Sequence, residues 1–174
     1  VDSYPDFRFH ADRVEKAITP RTKLLILNSP SNPTGVVMTE AEVRLAVEVA
    51  RKYDLLILSD EIYEPFLYGN ESATGPGGHP PLPGTARLYE KTILLRGVSK
   101  SHAMTGWRLG YAAGPEEIIS QMTKLQQYTF VCAPSPLQYA ALAALDVSMT
   151  DAVAAYRRKR DIVFEGLSNK FDLV

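Results

Sequence analysis

Four short apolar runs punctuate the chain: residues 23–28 (KLLILN), residues 55–59 (LLILS), a run opening at residues 93–95, and residues 109–113 (LGYAA). Each is strand-length, bounded by turn formers, and apolar on successive residues, which is how strands covered on both faces read. Between the first two lies a helix signal. Thr39 and Glu42 have capping-box spacing, and Val43, Val47 and Ala50 follow at helical intervals. Strand, helix, strand with short joints predicts a βαβ unit with a parallel pair and a right-handed crossover.

Downstream, Gly114-Pro115 ends the fourth strand and is expected to open a helix with proline at its first position, burying Ile118, Met122 and Leu125. Pro134 and Pro136 break the chain. Leu137, Ala141, Ala144 and Leu145 predict another helix, and a last one starts near Asp151 with Val153, Tyr156, Val163 and Leu167 on one side. Residues 69–87 hold five glycines and four prolines without periodicity, the composition of a long surface loop. The expected fold class is α/β: three layers, α/β/α, around a mostly parallel sheet.

Composition adds mainly exclusions. The 174 residues suffice for one domain, and 45% are hydrophobic, as in ordinary globular proteins. Lysine and arginine number 19 against 20 acidic residues, a balance that points to neither nucleic acid nor membrane as partner. The single cysteine, Cys132, rules out an intrachain disulfide and favours a reducing, cytoplasmic setting. No apolar run approaches the roughly 20 residues of a spanning helix, so a soluble protein is expected. The chain begins at Val1 in polar sequence and stops just after a helical pattern, which reads either as a whole small domain or as a piece of a longer protein.

In such sheets ligands sit outside the carboxyl ends of the strands. Three polar segments lie there: NSPSNPTG (28–35), SDEIYEPFLYG (59–69) and GVSKSHAMTGWRLGY (97–111). Singly, each has a bland reading: a turn at Asn32-Pro33-Thr34-Gly35, a solvated strand end at Asp60 and Glu61, a surface lysine at Lys100, an ion-paired Arg108. Jointly, an amide, a carboxylate with a phenol three residues on, and a lysine with an arginine eight residues on gather at one sheet edge. His102 reads as a satisfied loop histidine, Trp107 as packing, Cys132 as a small core or interface residue, and YRRKR (156–160) as a solvated helix face.

SNPTG, SDEIY and SK…MTGWRLGY, in that order, resemble the class I and II aminotransferases, which are fold-type I pyridoxal-phosphate enzymes. AMTGWRLGYAAGP resembles their bacterial aspartate and aromatic branch. The resemblance implies pyridoxal 5′-phosphate as cofactor, no metal, and exchange of an amino group between an amino acid and a 2-oxo acid. It implies Lys100 as the catalytic Schiff-base lysine, with its amine neutral for part of the cycle through nearby positive charge and desolvation. Asp60 would face the pyridine nitrogen, Tyr63 and Asn32 would donate hydrogen bonds to the ring's phenolic oxygen, and Arg108 would grip the phosphate. Gly106 and Gly110 would permit close backbone approach.

Many family members carry a serine three residues before the lysine, where this chain has Gly97 with Ser99 beside the lysine. Family members are also longer. The resemblance therefore implies that residues 1–147 are the central part of the cofactor-binding large domain, and 148–174 a helix leading toward a small C-terminal domain. An upstream phosphate loop and stacking aromatic, and the arginine for the substrate's α-carboxylate, would lie outside the chain, leaving it inactive alone. The parent would be a homodimer. Alternatives are a carbon–sulfur lyase of the same fold, the cofactor-sensing domain of a transcription regulator, and a folded but empty fragment.

Overall fold

The computed structural model describes residues 1–68 and 84–173. A sheet of four strands orders them β1 (Leu24–Asn28), β2 (Leu56–Asp60), β3 (Thr92–Gly97) and β4 (Gly110–Ala113). The first three run parallel, with Asn28 opposite Asp60 and Asp60 opposite Leu95, so their carboxyl ends align. β4 is antiparallel to β3, pairing Gly97 with Gly110. Its direction follows from the connection, which returns over residues 98–109 with only a 3-10 turn at Thr105–Trp107.

Before β1 stands a short helix, α1 (Ala11–Ala17), which the sequence pattern did not announce. Between β1 and β2 runs α2 (Glu40–Lys52). Its start is the expected capping box, with Thr39 accepting from the Glu42 backbone and Glu42 reaching back to the Thr39 backbone. Acidic residues in the first turn and Arg51 and Lys52 in the last suit the helix dipole. Val43, Ala46, Val47 and Ala50 make the buried stripe.

That stripe meets one sheet face. Leu27, Ala46, Val47, Ala50, Leu55, Ile57 and Tyr89 form the core cluster, and the Tyr89 hydroxyl donates to the Leu55 carbonyl at 2.8 Å. Full burial of a side chain such as Ile57 contributes about 1.5–3 kcal/mol. The opposite face is open at β1, where Ile26 is 64% exposed. The continuous apolar run thus holds covered residues on one face only.

The predicted loop at 69–87 lies outside the described residues except at its end. There Thr85–Leu88 forms a one-turn helix, α3, and buries Thr85, because its hydroxyl finds Ser59. Beyond β4 come α4 (Glu116–Gln127), α5 (Ser135–Leu145) and α6 (Thr150–Leu167). Pro115 caps α4 from outside rather than occupying its first turn. Met122 and Leu125 are exposed, Ile118 is half-buried, and no residue of α4 is buried. In α5, Leu137, Ala141 and Ala144 are half-buried as the spacing predicts, while Leu145 is exposed. In α6 only Val153 is buried, and Val163 and Leu167 are open to solvent. Cys132 is exposed, not a core residue, and Trp107 is exposed rather than packed.

Candidate active site

Asn28 ends β1, and its amide joins the first two strand ends. Its Oδ1 accepts from the Asn32 backbone at 2.9 Å, and its Nδ2 donates to the Asp60 carbonyl at 3.4 Å. Ser29 N donates to the same carbonyl at 3.2 Å. The loop carrying Asn32 is thereby tied to the strand carrying Asp60. Sequence reasoning passed over Asn28; its signal was an amide side chain at the last position of an apolar run.

Asn32, Tyr63 and Lys100 come together. Asn32 Nδ2 donates to the Tyr63 hydroxyl at 3.3 Å, and Lys100 Nζ stands over the Tyr63 ring, 5.8 Å from its centroid. Segments 31 residues apart in sequence meet here because parallel strands put their loops at one edge. Lys100 is exposed, so the desolvation expected of its amine is not supplied by the described residues.

Asp60 and Arg108 share a second feature. Both line an open cavity of about 490 Å³, together with Leu95, Gly110 and Ala112. The Asp60 carboxylate is held by its own turn, Oδ1 accepting from Ile62 N at 3.2 Å. Arg108 has φ 53° and ψ 45°, a left-handed conformation that a side-chain-bearing residue adopts at a cost of about 1 kcal/mol. Its Nη1 donates to the Thr105 carbonyl at 3.1 Å, so among the described residues the guanidinium pairs with backbone rather than with a carboxylate.

Beside the strand ends lies a half-buried charge cluster. Arg96 donates to Glu61 Oε2 from Nη2 at 2.7 Å and from Nε at 3.2 Å, and its Nη1 lies 3.9 Å from Glu64 Oε2. Glu61 Oε1 accepts from Ser59 Oγ at 3.0 Å. Burial opposes the charge on Arg96, but the Glu61 hydrogen bonds and the charges of Glu61 and Glu64 outweigh it and hold the guanidinium pKa above its ordinary value. Glu61, read from sequence as a solvated strand end, is buried.

The glycines divide. A Cβ on Gly110 would meet the Arg96 carbonyl at 3.1 Å, so the backbone does approach closely there, whereas Gly106 has nothing within 4 Å. Gly97 is tight: an added Cβ would sit 3.0 Å from Gly110 Cα. His102 is satisfied, with Nδ1 2.7 Å from Ser101 Oγ. The face at 156–160 is not wholly solvated. Tyr156 stacks edge-on against Phe66 at 5.2 Å, and Arg160 stands 4.7 Å over Tyr68.

An amine, an amide–phenol pair, a carboxylate and a guanidinium complement an aldehyde, a phenolic oxygen, a pyridine nitrogen and a phosphate. In donor chemistry the residues at this edge fit pyridoxal phosphate, which Lys100, Asn32, Tyr63, Asp60 and Arg108 could hold.

Comparison with known proteins gives a consistent result. The family model for aminotransferases of class I and II matches residues 1–174. The chain is 38% identical to a probable aspartate aminotransferase of Methanocaldococcus jannaschii, over 98% of this chain and 45% of that protein. It is 40% identical to aromatic-amino-acid aminotransferase 2 of Thermococcus litoralis, over 94% of this chain and 42% of that one. Among solved structures, the Thermus thermophilus aspartate aminotransferase with maleate superposes with a TM-score of 0.80 at 38% identity, covering 94% of this chain and 42% of its own. The chain thus spans less than half the length of the relatives it matches.

Proposed function

The chain belongs to the class I and class II aminotransferases, and from that premise we propose that the whole protein exchanges amino groups between an amino acid and a 2-oxo acid, using pyridoxal phosphate. The observation that carries this reading is the meeting of Asn32, Tyr63 and Lys100 at the strand ends, through one hydrogen bond and one cation–ring contact. When bound, the cofactor supplies an aldehyde that amines exchange on and a ring that accepts electrons.

The chain's own side chains supply the rest. Lys100 Nζ would hold the cofactor's aldehyde end and would serve as the general base for the substrate's α-proton. Tyr63 Oη and Asn32 Nδ2, already bonded to each other, donate toward the phenolic oxygen and steady its negative charge. The Asp60 carboxylate, pre-oriented by Ile62 N, keeps a pyridine nitrogen protonated. The Arg108 fork suits phosphate oxygens better than a lysine's point charge would.

Aspartate or an aromatic amino acid is the proposed amino donor, supported by the similarity to an aspartate and an aromatic-amino-acid aminotransferase. Residues 1–147 are read as the central part of the large domain and 148–174 as a helix leading toward a small domain, with α6 occupying that stretch. Among the described residues no helix is long and apolar enough to cross a membrane. A cytoplasmic homodimer completes the reading, on the family resemblance and the single cysteine.

Product analysis tests the reaction class. The whole protein, given pyridoxal phosphate, aspartate and a 2-oxo acid, is expected to yield the amino acid matching that oxo acid. Pyruvate with ammonia from a sulfur-bearing amino acid, and no amino exchange, would instead establish the carbon–sulfur lyase.

A further inference from the structure

The pleat of the sheet places two sets of residues back to back. Side chains alternate between faces along a strand. Ser59 pairs with Leu94 and Asp60 with Leu95, so Ser59, Leu94 and Arg96 share the face packed by α2, while Asp60, Leu95 and Gly97 share the other. Asp60 is followed at once by Glu61, and Arg96 precedes Lys100 by four residues. The two residues of the Arg96–Glu61 fork therefore flank Asp60 and the Lys100 turn at the same strand ends, and Arg96 also lines the cavity that Asp60 and Arg108 share.

The fork spans those two strand ends. Arg96 reaches Glu61 Oε2 through both Nη2 and Nε, and Ser59 Oγ donates to the other oxygen, so both carboxylate oxygens of Glu61 are engaged. Glu61 N adds a backbone bond to the Leu95 carbonyl at 3.0 Å. Glu61 is 8% exposed, which separates this pair from surface ion pairs that contribute little. Arg96 keeps 35% of its side chain exposed, so the pair is half-buried, and such a pair adds little net stability over an apolar substitute. A two-point fork does, however, fix direction as well as distance. Gly97, Ser101 and His102, from the turn that holds Lys100, border the same cavity of about 390 Å³ as Glu61 and Arg96. Gly97 follows Arg96 directly and its carbonyl accepts from Ser101 Oγ at 3.4 Å, which joins the fork to that turn through one residue.

We propose that Glu61 and Arg96 are positioning residues: their fork locks the carboxyl end of β2 to that of β3 and so sets where Asp60 stands relative to Lys100. The proposal rests on the cofactor roles given above to Asp60 and Lys100. It makes Glu61 part of the site without contact to substrate or cofactor.

The test uses the whole protein, Arg96→Lys, Glu61→Gln and the double variant. Arg96→Lys keeps the charge and loses the fork; Glu61→Gln keeps the shape and loses the charge. The readouts are the Kd for pyridoxal phosphate by visible absorbance, the pH midpoint of the bound cofactor's visible band, and the melting temperature. Each single variant is expected to raise Kd about tenfold and to move the midpoint, with the double variant little worse than either, because both break one coupling. A midpoint that moves in Glu61→Gln but not in Arg96→Lys would mean that charge alone acts, and overturns positioning. A lowered melting temperature with wild-type Kd and midpoint would mean a merely structural pair, and overturns it too. Should Glu61→Gln fail to fold, Arg96→Lys decides by the same two readouts. If the unaltered protein takes up no pyridoxal phosphate, the functional reading falls as well; if it does and the variants match it, only positioning falls.

Discussion

Gly97→Ala puts a single methyl group at the joint between β3 and β4. The new Cβ would meet Gly110 Cα at 3.0 Å, Leu109 O at 3.1 Å and Ile62 Cδ1 at 3.1 Å. The first two are backbone atoms at the start of the facing strand and cannot rotate away, so the pair Gly97–Gly110 must open by a few tenths of an ångström. Overpacking of this kind costs about 1–3 kcal/mol. Replacing glycine returns about 0.5–1 kcal/mol through the unfolded chain. The net expectation is a loss of up to about 2.5 kcal/mol, read as a lower midpoint in urea denaturation of the whole protein. Gly97→Ser should lose as much, since the Cβ does the harm. This gives a packing reason for the missing serine before the lysine. Gly106→Ala is the internal control: nothing lies within 4 Å and its φ is ordinary, so it should be neutral or slightly stabilising. Gly114→Ala, whose Cβ would meet the Thr92 carbonyl at 2.9 Å, should cost at least as much as Gly97→Ala. Equal midpoints for Gly97→Ala and Gly106→Ala would refute the reasoning.

Tyr63→Phe removes the hydroxyl that accepts from Asn32 and should weaken pyridoxal phosphate binding about three- to tenfold by absorbance titration. Asn32→Ala in that background removes the second donor to the phenolic oxygen and should weaken binding by a similar factor again. Thr92 Oγ1 is a buried hydroxyl without a hydrogen-bond partner among the described residues. Thr92→Val is therefore expected to raise stability by about 1 kcal/mol, and a loss in the same urea experiment would contradict it. At Glu42, burial pushes the carboxyl pKa up, but hydrogen bonds from Thr39 and Phe9 and the charge of Arg8 prevail and hold it below its usual value. A depressed folded pKa stabilises above the unfolded value and ceases to do so as pH falls through the folded one. Glu42→Gln should thus cost about 1–2 kcal/mol at pH 7, a difference that shrinks below about pH 4.

What the sequence disclosed is largely what is local. The four apolar runs became the four strands, and Thr39 with Glu42 capped α2, because both signals lie within a few residues. The meeting of Asn32, Tyr63 and Lys100 was legible through topology, since parallel strands bring their trailing loops to one edge. Contacts that depend on neighbours were not legible. Met122 and Leu125 have helical spacing but stay exposed, so their pattern did not amount to burial. The Arg96–Glu61 fork joins residues 35 apart, and neither carries a local mark of its partner. The left-handed backbone at Arg108 likewise has no signal in a residue that is neither glycine nor asparagine.

The central claim is that Lys100 is the amine that takes the cofactor. Its direct test is to incubate the whole protein with pyridoxal phosphate, reduce with borohydride and map the labelled peptide. A single pyridoxyl label on Lys100, lost in Lys100→Ala, is the predicted result. A label carried by any other lysine while Lys100 stays unmodified would contradict the account.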